Sequence, residues 1–433
     1  MLQQRKLKLT RRGAISALVA LLIVVLLGVT AFAIDGGMVQ DNKRRLQATA
    51  DAAALAAASK IFQNFRNVSI STPDPSGQAL DAARAVAKDN GFEHNGGTVK
   101  VLVNIPPATG PFAGKLGYAE VCVEYKQPRY FSSVWGSEPI LISSRAVAIG
   151  RWVGSKQGII VLDLTAAHAL DINGTGLVTV TGGASVIVNS NDPVAAARDT
   201  GGGTVYASEF YVVGGVSGNF NGTIVHGPPV PDPLAYLPEP PQPPDGVMIT
   251  ENLTMGNKRY TFSPGRFTGV PSFNQGDEVV FKQASAGNGG IYYLENTGFS
   301  SQGANISMDP TTSGGMMIYN KVTGNANNMG INITGNASGS VAMSALTSGP
   351  YAGILFFQSR NAPQTMSVAG NGSFNLSGTF YCANALLNVA GGGTATIGSQ
   401  YISRYLNITG GGNISIDYND NGTAKLREIR LVE

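Results

Sequence analysis

The chain of 433 residues contains two cysteines, three histidines and two tryptophans. Cys122 and Cys382 stand 260 positions apart. That is neither a disulfide framework nor the clustered spacing of a zinc site. One long-range bridge or two separate thiols remain open. His94, His168 and His226 are scattered and lack the spacing that metal ligation needs. No metal, cofactor or catalytic residue is expected. Charge is scarce as well. Asp, Glu, Lys and Arg supply 13% of the chain, about half the usual share of about 25%. The net charge of +3 is misleading, because Arg5, Lys6, Lys8, Arg11 and Arg12 place five positive charges ahead of the first acid, Asp35, leaving −2 for the rest. Beyond that tail the sequence suggests no basic surface for nucleic acid, and no nucleic-acid partner is expected. No Gly-x-Ser-x-Gly elbow occurs. The stretch Gly110–Lys115, "GPFAGK", is one residue short of a phosphate loop, and Leu116 replaces the required Ser or Thr. It reads as a hairpin loop.

What the chain does have begins with an apolar run. Gly13–Ile34 carries no charge, and about 20 apolar residues suffice to cross a bilayer. A secretory signal would have a shorter apolar region and an Ala-x-Ala exit. Ala31-Phe32-Ala33 keeps cleavage there as an alternative. The positive-inside rule places residues 1–12 in the cytoplasm, 13–34 in the membrane as a single-pass anchor, and the rest outside. Beyond the anchor, small or apolar residues at 39, 46, 50, 53, 57 and 61 have helical spacing. Leu46, Ala50, Ala53 and Ala57 form a helix-packing face expected to meet other subunits. Gly36-Gly37 is expected to loosen the helix as it leaves the bilayer. Lys43, Arg44 and Arg45 read as a solvated face. Asp51 reads as a surface carboxylate, or as the partner of a basic residue on a neighbouring subunit.

The stretch "RRGAISALVALLIVVLLGVTAFAIDGG", followed by "LQATADAAALAAA", resembles the N-terminal Tad domain of TadG-like Flp (tight-adherence) pilus-assembly proteins, over about residues 11–60. The resemblance implies a pilin-like stalk in a bacterial inner membrane, with the helix continuing onto an outer domain. Its implied partners are Tad/Flp pilus-assembly or other envelope proteins and inner-membrane lipid. True pilins carry Glu at the fifth mature position. Were Gly13 the cleavage residue, Leu18 would stand there, which argues against processing and against a main-pilin role.

Residues 79–90 read as a short amphipathic helix closed by Gly91. Residues 98–105, 118–125 and 140–150 alternate as half-buried strands do. A small α/β unit over 35–150 follows, similar to the head region of Tad pseudopilin-like proteins. From about Gly158 short apolar-alternating runs are punctuated by Gly and Asn. Gly335, Gly370, Gly391 and Gly410 fall 35, 21 and 19 residues apart, a loose period that suggests a solenoid. Asn and Thr at the turns should stack between rungs and satisfy one another. The expected fold class is therefore mixed: a transmembrane helix with a pilin-like α/β domain, then a right-handed parallel β-helix over 151–433. The β region resembles the β-helical passenger regions attached to some Tad-domain proteins. The Pro-rich segment 226–246 is either a linker or an arm; "DPLAYLPEP" carries apolar residues that favour an arm docked across the solenoid.

The expected function is a membrane-anchored structural protein of Tad/Flp pilus-assembly or related envelope-surface machinery, not an enzyme. Two alternatives stand beside it. One is a carbohydrate-binding surface adhesin, with surface polysaccharide as partner. Phe356, Phe357, Arg360, Phe380 and Tyr381 would supply its binding strip unless they are core. The other is a β-helical polysaccharide lyase or hydrolase. It needs clustered carboxylates, and between 290 and 420 the acids are only Glu295, Asp309, Asp417 and Asp420. Asp163 and Asp171 read as turn caps or, in that alternative, as catalytic groups.

Overall fold

The structure is a computed structural model describing residues 12–64, 74, 76–282, 290–310, 314–324, 329–335, 339–370, 373–392 and 394–433. The chain divides into two compact units. One runs to Trp152 and also takes in Arg427–Glu433; the other is Val153–Leu426.

In the first unit, helix α1 (Arg12–Asn64) is 53 residues long, about 80 Å at about 1.5 Å per residue. It runs unbroken through Gly36 and Gly37, contrary to the loosening expected there. A Cβ at either glycine would meet nothing, so neither is required by packing. The C-terminal half of α1 lies on α2 (Gln78–Asp89) and on a sheet of β1 (Val99–Asn104), β2 (Tyr118–Gln127) and β3 (Ile140–Gly154). Both neighbouring ladders are antiparallel. The α2 start is held by Asp74, whose carboxylate accepts the N–H groups of Ala79 and Leu80 at 3.1 Å each. The core sets Leu46, Ala50, Ala53, Ala57 and Ile61 of α1 against Ala79, Ala83 and Ala87 of α2 and Val101, Val121 and Val123 of the sheet. Alanine on both helices lets their backbones approach closely. At Gly150 on β3 a Cβ would lie 1.9 Å from the Ala58 carbonyl, so only glycine permits this contact.

The fourth strand of this sheet is Lys425–Leu431, next to β3. Val147 donates to the Glu433 carbonyl at 2.8 Å and Val432 donates back to Val147 at 2.9 Å. The last residues therefore belong to the first unit, although the sequence reading carried the β region to 433. A lone alternating strand does not say which sheet it joins.

The second unit holds a long, almost entirely parallel sheet. Over most of it each strand pairs with the third strand along the chain. Gly290–Glu295 pairs with Met316–Lys321, then come Ile354–Gln358, Thr379–Gly391 and Gln400–Gly410. There the chain order breaks. Gln400–Gly410 pairs next with Gln157–Val161, the first strand of the unit, which leads on to Ser185–Val188 and Thr204–Val212. The strands met first in sequence thus extend the ladder beyond the strands met last. Gly370, Gly391, Gly410 and Gly174 stand in register across it, so the glycine period reads out one column of the ladder.

Candidate functional site: the apolar helix and the strapped sheet

α1 contains one stretch long and apolar enough to cross a membrane. Leu18, Leu21, Val24 and Leu27 are exposed along it, as a lipid-facing helix requires. Of the basic residues expected to set topology, Arg5, Lys6, Lys8 and Arg11 lie outside the described residues; Arg12 begins α1. Leu46, Ala50, Ala53 and Ala57 are fully buried within this chain. The face is therefore already occupied by α2 and the sheet, and the expectation that it meets other subunits is corrected. Periodicity identifies a packing face but not whose surface fills it. Asp51 accepts a hydrogen bond from Gln47 one turn earlier, at 2.9 Å, which gives it a partner in its own helix. Lys43 donates to the Ser143 carbonyl, and the Arg45 guanidinium lies 5.7 Å above the Phe92 ring. The basic patch is thus partly spent on fixing α1 to its head.

Glu120 is the most heavily bonded buried carboxylate of the first unit. It accepts from the Thr109 hydroxyl at 2.7 Å, the Asn104 amide at 2.8 Å, the Arg145 guanidinium at 2.5 Å and the Ala108 N–H at 2.9 Å. Burial alone would raise its pKa; these four donors outweigh it and bring the pKa down to about 2. Arg145 also pairs with Glu433 at 2.7 Å. The sequence carries no local sign of this centre, because its members come from three strands and a loop.

In the second unit the Pro-rich segment is docked as a strap rather than left free. Asn189 exchanges two hydrogen bonds with Val230, at 2.7 and 2.8 Å. Tyr381 donates to Asp232 at 2.7 Å. Arg360 donates to the carbonyls of Leu234 and Leu237 at 2.7 and 2.5 Å. Glu239 accepts from Tyr319 and Lys321 at 2.7 and 2.6 Å. Leu234 and Leu237 are buried against a cluster that includes Tyr319, Phe357 and Tyr381. The partners step along the ladder from Asn189 to Tyr319, so the strap carries the chain back along it. This is what the broken strand order requires.

The aromatic strip considered for sugar binding is not exposed. Phe356 and Phe380 pack in the main core with ring centroids 4.8 Å apart and planes tilted by 59°, and Phe357 and Tyr381 are buried with the strap. The core reading of these four aromatics therefore holds, and the binding-strip alternative loses them: a motif places aromatics together without saying which face they take. Asp163 caps a turn by accepting the N–H groups of Thr165 and Ala166 at 3.0 and 2.7 Å, and it pairs with Arg404 at 2.9 Å. Asp171 takes a two-pronged bond from Arg198 at 2.9 and 2.8 Å. Burial opposes ionisation of each carboxylate, and these hydrogen bonds overcome it, holding both below the ordinary range. Cys122 and Cys382 are free thiols. Burial pushes the pKa of both upward, so neither is a ready nucleophile.

One column of the ladder, half-buried along most of its length, is polar and repetitive. Ser300, Asn332, Ser367, Asn388, Asn407 and Asp171 follow one another in register. Asn407 donates to Asn388 at 3.2 Å, and Thr200 donates to Asn173. Pairing of Asn and Thr side chains between neighbouring strands is present, but Asn388, Asn407 and Asn173 stand within strands rather than at the turns where it was expected. At one end lies a cleft of about 440 Å³ whose lining includes Ser272, Thr297, Ser300, Asn332 and Ser367, without a charged group. Among the described residues no group of three or more His, Cys, Asp or Glu is placed to hold a metal ion.

Among curated proteins, none matches the chain. One solved structure, the competence-associated pilin ComZ from Thermus thermophilus, aligns over 78% of this chain and 87% of its own at 10% identity, with a TM-score of 0.23. A likeness that weak carries no argument about the fold. Residues 13–60, the apolar run and the Ala-rich half of α1, match the family described as "Putative Flp pilus-assembly TadE/G-like".

Proposed function

We propose that the chain is a single-pass, membrane-anchored structural protein of Tad/Flp pilus-assembly or related envelope-surface machinery. In this reading residues 1–12 face the cytoplasm, 13–34 span the inner membrane, and the rest of the chain lies outside. The second unit closes into a right-handed parallel β-helix and presents a rigid, weakly charged surface without catalysing a reaction. The observation that carries the reading is the coincidence of the Tad match with α1. That one helix is apolar and exposed in its first half, and packed on its own head in its second. Pairing of each strand with the third one along supports three-sided coils, and right-handed crossovers are the norm for parallel strands. The topology is tested by fusing a reporter to the C-terminus and fractionating cells. The expected result is reporter activity only outside the cytoplasm, with the protein in the membrane fraction. A soluble form beginning near Asp35 would instead identify a cleaved signal.

A second reading, a carbohydrate-binding surface, is supported by the uncharged cleft of hydroxyl and amide groups around Ser300 and Asn332. Such groups match the hydroxyls of a neutral glycan better than an acidic one. Glycan binding that survives replacement of both Ser300 and Asn332 by Ala would remove that support.

A further inference from the structure

We propose that Tyr130–Val134 is a second membrane contact, an aromatic foot lying in the headgroup–acyl boundary beside the point where α1 leaves the bilayer. The inference rests on reading residues 13–34 as the anchor.

Among the described residues between Ile15 and Arg45, the buried side chains are Ala31, 8% exposed, and Asp35, 4% exposed. They lie four apart and so share one face of α1. The one-turn helix Ser132–Trp135 packs against α1. The Asp35 carboxylate accepts the Phe131 N–H at 3.2 Å and the Ser132 N–H at 2.7 Å. Ser133 donates back to the Tyr130 carbonyl at 2.8 Å, so the segment is internally braced. This explains an acid directly after an apolar run. Its charge is met by two backbone donors rather than left to water or lipid.

The tie fixes the height of the loop. Gly13–Ile34 spans about 33 Å as a helix, close to a hydrocarbon core of about 30 Å. Ile34 then sits at the edge of the core, and groups bonded to Asp35 sit in the interfacial layer. There the loop turns Tyr130, Phe131 and Val134 outward, 54%, 54% and 85% exposed. Three exposed apolar side chains within five residues find an apolar medium on one side and water on the other only in that layer. Aromatic residues concentrate there because an apolar ring and a polar edge are both satisfied. Continuity with the apolar face of α1 favours lipid over a protein partner.

The test uses the full chain in vesicles of phosphatidylethanolamine and phosphatidylglycerol. Single cysteines are placed by Val134→Cys, Val24→Cys or Lys88→Cys in a Cys122→Ser, Cys382→Ala background, and each carries an environment-sensitive fluorophore. Nitroxides are attached to the lipid near the headgroup or at the acyl-chain end. The expected result is loss of the Val134→Cys emission to the shallow nitroxide, of the Val24→Cys emission to the deep one, and of the Lys88→Cys emission to neither. Quenching at Val24→Cys with none at Val134→Cys would overturn the foot and leave the anchor standing. Quenching at neither would remove the anchor, and the foot with it. A Val134→Cys response that follows protein density rather than nitroxide would place a second copy there and overturn the lipid assignment.

Discussion

Gly410 offers the sharpest test of how the long sheet is built. Its φ is +113°, a region that L side chains avoid at a cost of about 1–3 kcal/mol. A Cβ there would lie 2.1 Å from the carbonyl oxygen of Gly391. That oxygen cannot retreat freely, because it accepts the Gly412 N–H at 3.0 Å and belongs to a strand paired along its length. Overpacking against such a neighbour costs about 1–3 kcal/mol more. Gly410→Ala should therefore destabilise the sheet by about 2 kcal/mol or more, shifting local opening at least about 30-fold. Gly411→Ala is the matched control. Its Cβ meets only the Thr175 hydroxyl, at 3.3 Å, and its φ lies outside the strained region. Its cost should stay below about 1 kcal/mol, the ordinary range for a helix- or strand-independent Gly→Ala change. Hydrogen exchange of the full chain in detergent, followed on peptides covering 400–416 and 157–180, reads the difference. Equal protection in the two variants, or wild-type protection in Gly410→Ala, would refute the steric reasoning.

Two further outcomes follow from buried polar centres. Glu120 has a folded pKa of about 2, below an unfolded value of about 4.3. The stability it contributes is thus fully present above about pH 4.3 and is lost as pH falls toward 2, amounting to at most about 3 kcal/mol. Glu120→Gln should lower the melting temperature at neutral pH and flatten the acid limb between those values; an unchanged acid limb in a pH series of thermal melts would contradict this. Arg360→Ala removes the donor to the Leu234 and Leu237 carbonyls, leaving acceptors unmet at about 1–3 kcal/mol each. Limited proteolysis should then cut within 226–246 while the sheet persists, and a strap as resistant as in the parent chain would show that Arg360 is dispensable.

Much of the architecture was legible from local pattern. The charge-free run, its basic flank and the Ala-rich continuation marked one long helix. Alternation marked β1, β2 and β3 within a few residues of their ends. The glycine period marked a repeating ladder: a Cβ at Gly335 or Gly370 would run into the Phe374 ring, one at Gly391 into the Ile414 side chain, and one at Gly410 into the Gly391 carbonyl. Asp163 read correctly as a turn cap, since an Asx turn is a contact between near neighbours in sequence.

What sequence by itself determined, then, were the features set by a few adjacent residues: apolar length, helical period, strand alternation and turn chemistry. Tertiary structure alone decided which surfaces those elements meet. Leu46, Ala50, Ala53 and Ala57 formed a packing face in either case, but only the fold showed α2 and the sheet filling it. Phe357 and Tyr381 went under the strap rather than out to solvent. Lys425–Leu431 joined the first unit's sheet, and Gln157–Val161 stacked on Gln400–Gly410 across more than half the chain. The physical reason is common to all of them. Hydrogen-bonding edges and apolar faces are written locally, but they are not addressed: any compatible edge or face satisfies them, and the choice is made by the packing of the whole chain.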